Sequence, residues 1–112
     1  MTQTGSVRVV ALVDDLMDRS RLAALEPITW ASGPDGAVDA DTVVVDLGRH
    51  AAAVGAVRRV APDAFIVAFG PHVDGPVLEA ARSAGADRVL ARSRFFADPA
   101  AALARDDGAA RA

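Results

Sequence analysis

The chain predicts a doubly wound α/β domain with five parallel strands in the order 2-1-3-4-5, and three observations predict it. Short apolar runs recur at residues 7–13, 28–31, 42–45, 65–69 and 89–91. Most are separated by segments whose apolar residues recur at helical spacing, and the links between strand and helix are short. Continuous apolar strands joined by helical crossovers are the mark of a parallel sheet covered on both faces.

Residues 65–94 show the pattern best, and the other elements are expected to pack against this unit. Residues 65–69 form an unbroken apolar run that Gly70 and Pro71 stop. Asp74 is a good N-cap, Pro76 sits in the first turn, and Val77, Leu78, Ala81 and Ala84 give the helix one apolar stripe. Gly85 supplies a left-handed cap, and Val89, Leu90 and Ala91 return as the next strand.

Upstream, residues 7–13 are apolar apart from Arg8 and end in the pair Asp14-Asp15. A helix is expected over 15–25, with Leu16, Arg19 or Ser20, Ala23 and Leu25 facing inward and Pro27 closing it. A brief strand at 28–31 leads into the turn cluster 32–36, and the link to Asp41 has room for one helical turn at most, so the second helix is reduced. Residues 42–45 are rich in β-branched side chains and end at Asp46. The helix at 50–60 turns Val54, Val57 and Ala61 inward. Downstream, Phe95-Phe96 lead to the cap Asp98-Pro99 and a short closing helix. The domain is expected over 1–105, with 106–112 a frayed tail.

Composition narrows the function. At 112 residues, 52% hydrophobic and 24% charged, the chain can build one real core and has no room for a second domain. A net charge of −3 and scattered Arg residues give no footprint for nucleic acid. Without Cys there is no disulfide and no thiolate chemistry. The N-terminus lacks a basic leader, and no apolar run would span a bilayer, so a cytoplasmic protein without membrane contact is expected. All 12 basic residues are Arg, and Lys, Asn and Tyr are absent. Their AT-rich codons point to a high-GC bacterial genome. The absence of Lys or Tyr at one position therefore means little, whereas the absence of Ser or Thr still counts.

In such a sheet, ligands bind outside the carboxyl ends of the strands, where the strand order reverses. That edge collects Asp14 and Asp15 from the first strand, Asp46 from the third, Gly70 to His72 from the fourth, and Arg92-Ser93 from the fifth. Three carboxylates facing an Arg and a His form the one constellation in the chain suited to chemistry.

LVDD at 12–15, TVVVDL at 42–47 and LEAARSAGADRVLARS at 78–93 resemble the receiver domain of bacterial response regulators, in order and spacing over nearly the whole chain. The resemblance implies a flavodoxin-like fold, Mg²⁺ as cofactor held with the help of Asp14, Asp15 and Asp46, and Asp46 as the phosphoryl acceptor. Hard oxygen ligands suit Mg²⁺, and a divalent ion lets clustered carboxylates tolerate an incoming phosphate.

The departures matter as much as the matches. Gly70 stands where a receiver has a hydroxyl, Arg92 where it has a Lys, Ser93 where it has a Pro, and Val89 where it has a switching aromatic. Together they point to a pseudo-receiver in which Arg92 pairs with Asp46. His72 is expected to cap the helix begun at Asp74, with ligand and general-base roles as alternatives. Phe95 and Phe96 plug the core, or one of them faces outward as a docking surface. The expected function is that of a stand-alone, non-enzymatic regulatory module that binds a protein partner or a second copy of itself. The alternatives are a phosphorylatable receiver working through Asp46, and a small-molecule or anion sensor at His72, Arg92 and Ser93.

Overall fold

The computed structural model describes residues 8–25, 27–70 and 75–104. Five strands, β1 (Val9–Leu12), β2 (Ile28–Trp30), β3 (Thr42–Asp46), β4 (Phe65–Gly70) and β5 (Arg88–Ala91), form one sheet in the order β2-β1-β3-β4-β5. Every adjacent pair is parallel. The predicted architecture is the observed one.

Alternation along the buried strands feeds two cores. Val43, Val45, Ile66 and Ala68 face α2 (Leu47–His50), α3 (Val54–Val60) and α4 (Gly75–Ala84), meeting Leu47, Val54, Val57, Leu78 and Ala81. Val44, Phe65, Val67 and Phe69 face α1 (Leu16–Ala23), α5 (Arg92–Ala97) and α6 (Pro99–Leu103), meeting Leu22, Phe95 and Ala102. Each fully buried Val, Ile or Phe contributes about 1.5–3 kcal/mol of transfer free energy. The second crossover is reduced to one 3₁₀ turn (Pro34–Ala37), as its length requires.

Helix α1 differs from the expected stripe. Leu16 is 77% exposed and Ala23 is exposed, while Asp18 and Leu22 are the buried residues. Asp18 and Leu22 lie four apart on one face, and Leu16, two positions before Asp18, falls more than half a turn away. A buried carboxylate with a dedicated partner sets the rotation of this helix, against the pull of an apolar Leu.

Arg58 on α3 ties the base of the sheet together. Its guanidinium donates to the carbonyls of Gly85 at 2.7 and 3.2 Å and of Pro62 and Ala64 at 2.9 Å, and to Asp87 at 2.7 Å. Asp87 in turn accepts the Ile66 N–H at 2.8 Å. Gly85 ends α4 at φ +123°, the left-handed side expected of it.

After β5 the chain enters α5 directly, so Arg92 and Ser93 open a helix and do not end a strand. Asp98 caps α6 by accepting the Ala101 N–H at 3.2 Å, with Pro99 in the first turn as expected. The expected Asp74 cap and the tail at 106–112 lie outside the described residues. No helix among the described residues is long and apolar enough to cross a membrane.

Candidate functional site at the carboxyl edge of the sheet

The strand registers bring the edge level: Leu12 pairs with Val45, Asp46 with Phe69, and Gly70 with Ala91. Asp14, Asp15, Asp46, Gly70 and Arg92 therefore converge where strands give way to helices. Ser93 is exposed nearby on α5, and His72 lies outside the described residues.

Asp46 is the last residue of β3 and the N-cap of α2. Its Oδ1 accepts the Gly48 N–H at 2.9 Å, and the residue is buried. Burial raises its pKa above the ordinary carboxylate value and the Asp18 charge adds to this, while the Gly48 N–H, Arg92 and His50 pull the other way. Asp15 caps α1, with Oδ1 accepting the N–H groups of Met17 at 2.9 Å and Asp18 at 3.0 Å. Asp14 is exposed, and its Oδ2 lies 3.2 Å from His50 Nε2.

The expected Arg92–Asp46 pair is not what forms. Arg92 Nη1 donates to Asp18 Oδ2 at 2.8 Å and Nη2 donates to Asp18 Oδ1, a two-pronged contact with a carboxylate that is 1% exposed. The planar fork of Arg matches both oxygens of one carboxylate, and Asp18 offers both, whereas Asp46 has turned one oxygen to its own helix. Asp46 is left to feel Arg92 only through space.

The same guanidinium lies over Phe96, at 5.0 Å, and Phe69, at 5.9 Å, and Arg21 covers Phe96 at 5.4 Å. Phe95 stacks on Phe69 at 4.6 Å and is fully buried; Phe96 meets both edge-on and is half-buried. Phe95 is thus a core residue, because α5 turns it under the sheet, and Phe96 is sheltered by two cations. The large apolar side chains that do stand in solvent at this edge are Leu16, 77% exposed, and Met17, 68% exposed.

A divalent ion needs several oxygens aimed at one point. Asp15 and Asp46 aim at their own helices and Asp14 at an imidazole, and among the described residues no three His, Cys, Asp or Glu gather so as to hold a metal. The arrangement does not fit the ion that the resemblance implies. A groove of about 250 Å³ between α2 and α4 is lined by Leu47, Ala51, Pro76, Val77, Ala80 and Ala81, with no charged side chain to favour an anion.

Asp18 and His50 are the two site residues that sequence reasoning missed. The signal for His50 was its spacing: four residues after the Asp46 cap, one helical turn returns it to the edge.

No protein-family model and no curated protein sequence matches the chain. Solved structures do. A response regulator from Burkholderia pseudomallei, solved with a phosphorylated aspartic acid, a calcium ion and citrate, superposes with a TM-score of 0.71 at 17% identity, over 95% of this chain and 71% of its own. A putative pilus assembly-related protein from the same organism gives 0.66 at 20% identity, over 96% and 98%. A CheY-like protein from Pseudomonas aeruginosa gives 0.65 at 18%, over 86% and 95%. The fold is that of response-regulator receiver domains.

Proposed function

We propose that this chain is a receiver-like regulatory module that acts by binding another protein, without a phosphorylation relay at Asp46. The observation that carries the reading is the commitment of Arg92, the first residue of α5, to Asp18, next to a strand β4 that finishes in Gly70. A modification shifts a conformational equilibrium only by its differential interaction with the two states. Gly70 has no side chain to meet a phosphoryl group. Arg92 would have to abandon a buried carboxylate to do so, leaving an uncompensated charge inside the protein.

Partner binding falls to the exposed Leu16 and Met17, which stand beside the exposed Asp14 and Asp15. Similarity to a pilus assembly-related protein over nearly all of its length makes components of such assemblies the first partners to test. A second reading, a phosphorylatable receiver, is favoured by the place of Asp46 at the carboxyl end of β3, beside the acidic pair.

Incubation with Mg²⁺ and acetyl phosphate decides between them. Little stable mass addition is expected, with no NMR shift changes beyond the acidic edge. Stoichiometric labelling abolished by Asp46→Ala, with shifts reaching Val89 and α5, would establish the phosphorylated receiver instead.

A further inference from the structure

Four carboxylates meet at the edge of the sheet, and each has a partner supplied by the chain itself. Asp18 is held by the Arg92 guanidinium and Asp14 by the His50 imidazole at 3.2 Å. Asp15 accepts the N–H groups of Met17 and Asp18, and Asp46 accepts that of Gly48. Two of these partners are basic side chains that arrive from opposite flanks, His50 from the end of α2 and Arg92 from the start of α5.

We infer that His50 and Arg92 stand where a divalent cation would otherwise act, so that the carboxylates of the acidic edge are already partnered from within and the edge is closed to metal ions. The inference rests on the receiver-like reading above, since it is the acidic edge of that fold that is closed.

Carboxylates gathered at one place repel one another until a cation or a proton relieves them. A metal ion relieves them by drawing their oxygens to a single point, six or more for Mg²⁺ or Ca²⁺ when waters are counted. Here the oxygens diverge. Asp15 and Asp46 face the first turns of α1 and α2, Asp18 faces inward to Arg92, and Asp14 faces His50. A metal could take only Oδ2 of Asp15 and of Asp46 without uncapping a helix, and taking Asp14 would strip it of its partner.

His50 is the residue that can be tested. Its side chain is only 15% exposed, so it is packed against the edge and does not swing in solvent. Its position follows from Asp46 itself: α2 starts on that residue, and one turn later the imidazole is back above the carboxylates. Arg92 is the less useful probe, because its removal also strands a buried Asp18.

The experiment is a titration of the ¹⁵N-labelled chain with Mg²⁺, and with Mn²⁺ as a paramagnetic probe. For the native chain, no saturable change is expected in the amides of residues 13–19 and 46–50 up to about 1 mM metal, the weak end of oxygen-ligand sites. His50→Ala leaves Asp14 without a partner and is expected to gain a saturable response at Asp14 and Asp46, at least tenfold tighter than any in the native chain. Should His50→Ala fail to fold, His50→Leu fills much of the space without a hydrogen-bonding group and is expected to behave in the same way.

Saturable binding by the native chain in that range overturns the inference. So does a folded His50 variant no more responsive than the native chain. A native chain that binds Mg²⁺ yet resists acetyl phosphate would sink this inference and leave the relay-free reading standing; labelling of Asp46 would sink that reading.

Discussion

Asp18 and Arg92 depend on each other unequally, because they meet water differently. The Asp18 side chain is 1% exposed and that of Arg92 is 37% exposed. Arg92→Ala strands a buried carboxylate and is expected to lower stability by about 3 kcal/mol, the low end for a broken buried pair. Asp18→Ala leaves a guanidinium that can turn to solvent, and should lower it by only about 1–2 kcal/mol. Urea denaturation of both variants checks the order, and equal losses would show that Asp18 is better solvated than its burial implies.

Asp46 gives the pH dependence. Its pKa is raised by burial, with Asp18 adding to the effect, so the folded state holds the proton more tightly than the unfolded chain does. Its contribution to stability is therefore present in full below the unfolded value of about 3.9, and is lost as pH rises through the folded value. Asn at 46 still accepts the Gly48 N–H but carries no charge. Asp46→Asn is expected to be more stable than the native chain at neutral pH, with the difference shrinking as pH falls through the raised folded value and gone below about 4. Thermal midpoints across that range test the sign.

At this scale Asp14, Asp15 and Asp46 were legible because each follows an apolar strand, which fixes its edge. Asp18 was not. A lone acid in a helix reads as solvated, and only the distant Arg92, 74 residues away in sequence, makes it a core residue.

Among the elements, the strands held by continuous apolar runs were read best, and the helices α1 and α5, which meet through the Arg92–Asp18 contact, were read worst. β3 and β4 follow their periodicity. α3 buries Val54 and Val57 as expected, though the helix expected over 50–60 is broken by a 3₁₀ turn at Ala51–Ala53, and α4 buries Leu78 and Ala81 but leaves Ala84 exposed. α1 is turned by Asp18 and Leu22, so that Leu16 and Ala23, two of the residues expected inward, face solvent while Leu25 is half-buried. α5 went unseen because Arg-Ser-Arg-Phe-Phe has no helical stripe. Its sense appears only once Phe95 stacks on Phe69, a contact worth about 0.5–1.5 kcal/mol beyond burial.

The junction between α4 and β5 carries the prediction for this scale. Gly85 sits at φ +123°, and an added Cβ would come within 3.1 Å of the Arg58 side chain. Gly85→Ala combines an unfavourable backbone with pressure on the guanidinium that links Gly85, Ala64 and Asp87. A loss of about 1–3 kcal/mol is expected. Denaturant midpoints measure it, and a neutral result would show that the turn relaxes to negative φ.

Across the whole molecule, the two faces of the sheet differ in what holds them. The face under α2, α3 and α4 is aliphatic. The face under α1, α5 and α6 combines the mutually packed rings of Phe69, Phe95 and Phe96, and Phe65 and Trp30 on the same side, with the Arg92–Asp18 pair and a cap in which Arg88 donates to the carbonyls of Ala102 and Ala104 at 2.9 Å. α1 covers its face with Leu22 and Asp18, which leaves Leu16 and Met17 pointing away from the protein at the edge where the acidic residues meet. Neither side chain stabilises the fold by burial, so replacing both with Glu should change stability by no more than about 0.5 kcal/mol each. If they form the docking surface, the same pair of changes should abolish self-association in sedimentation, or capture by a purified partner, while the thermal midpoint stays in place. A folded Leu16→Glu, Met17→Glu variant that associates as the native chain does would move the docking surface elsewhere, with Phe96 beneath Arg21 and Arg92 the next place to look.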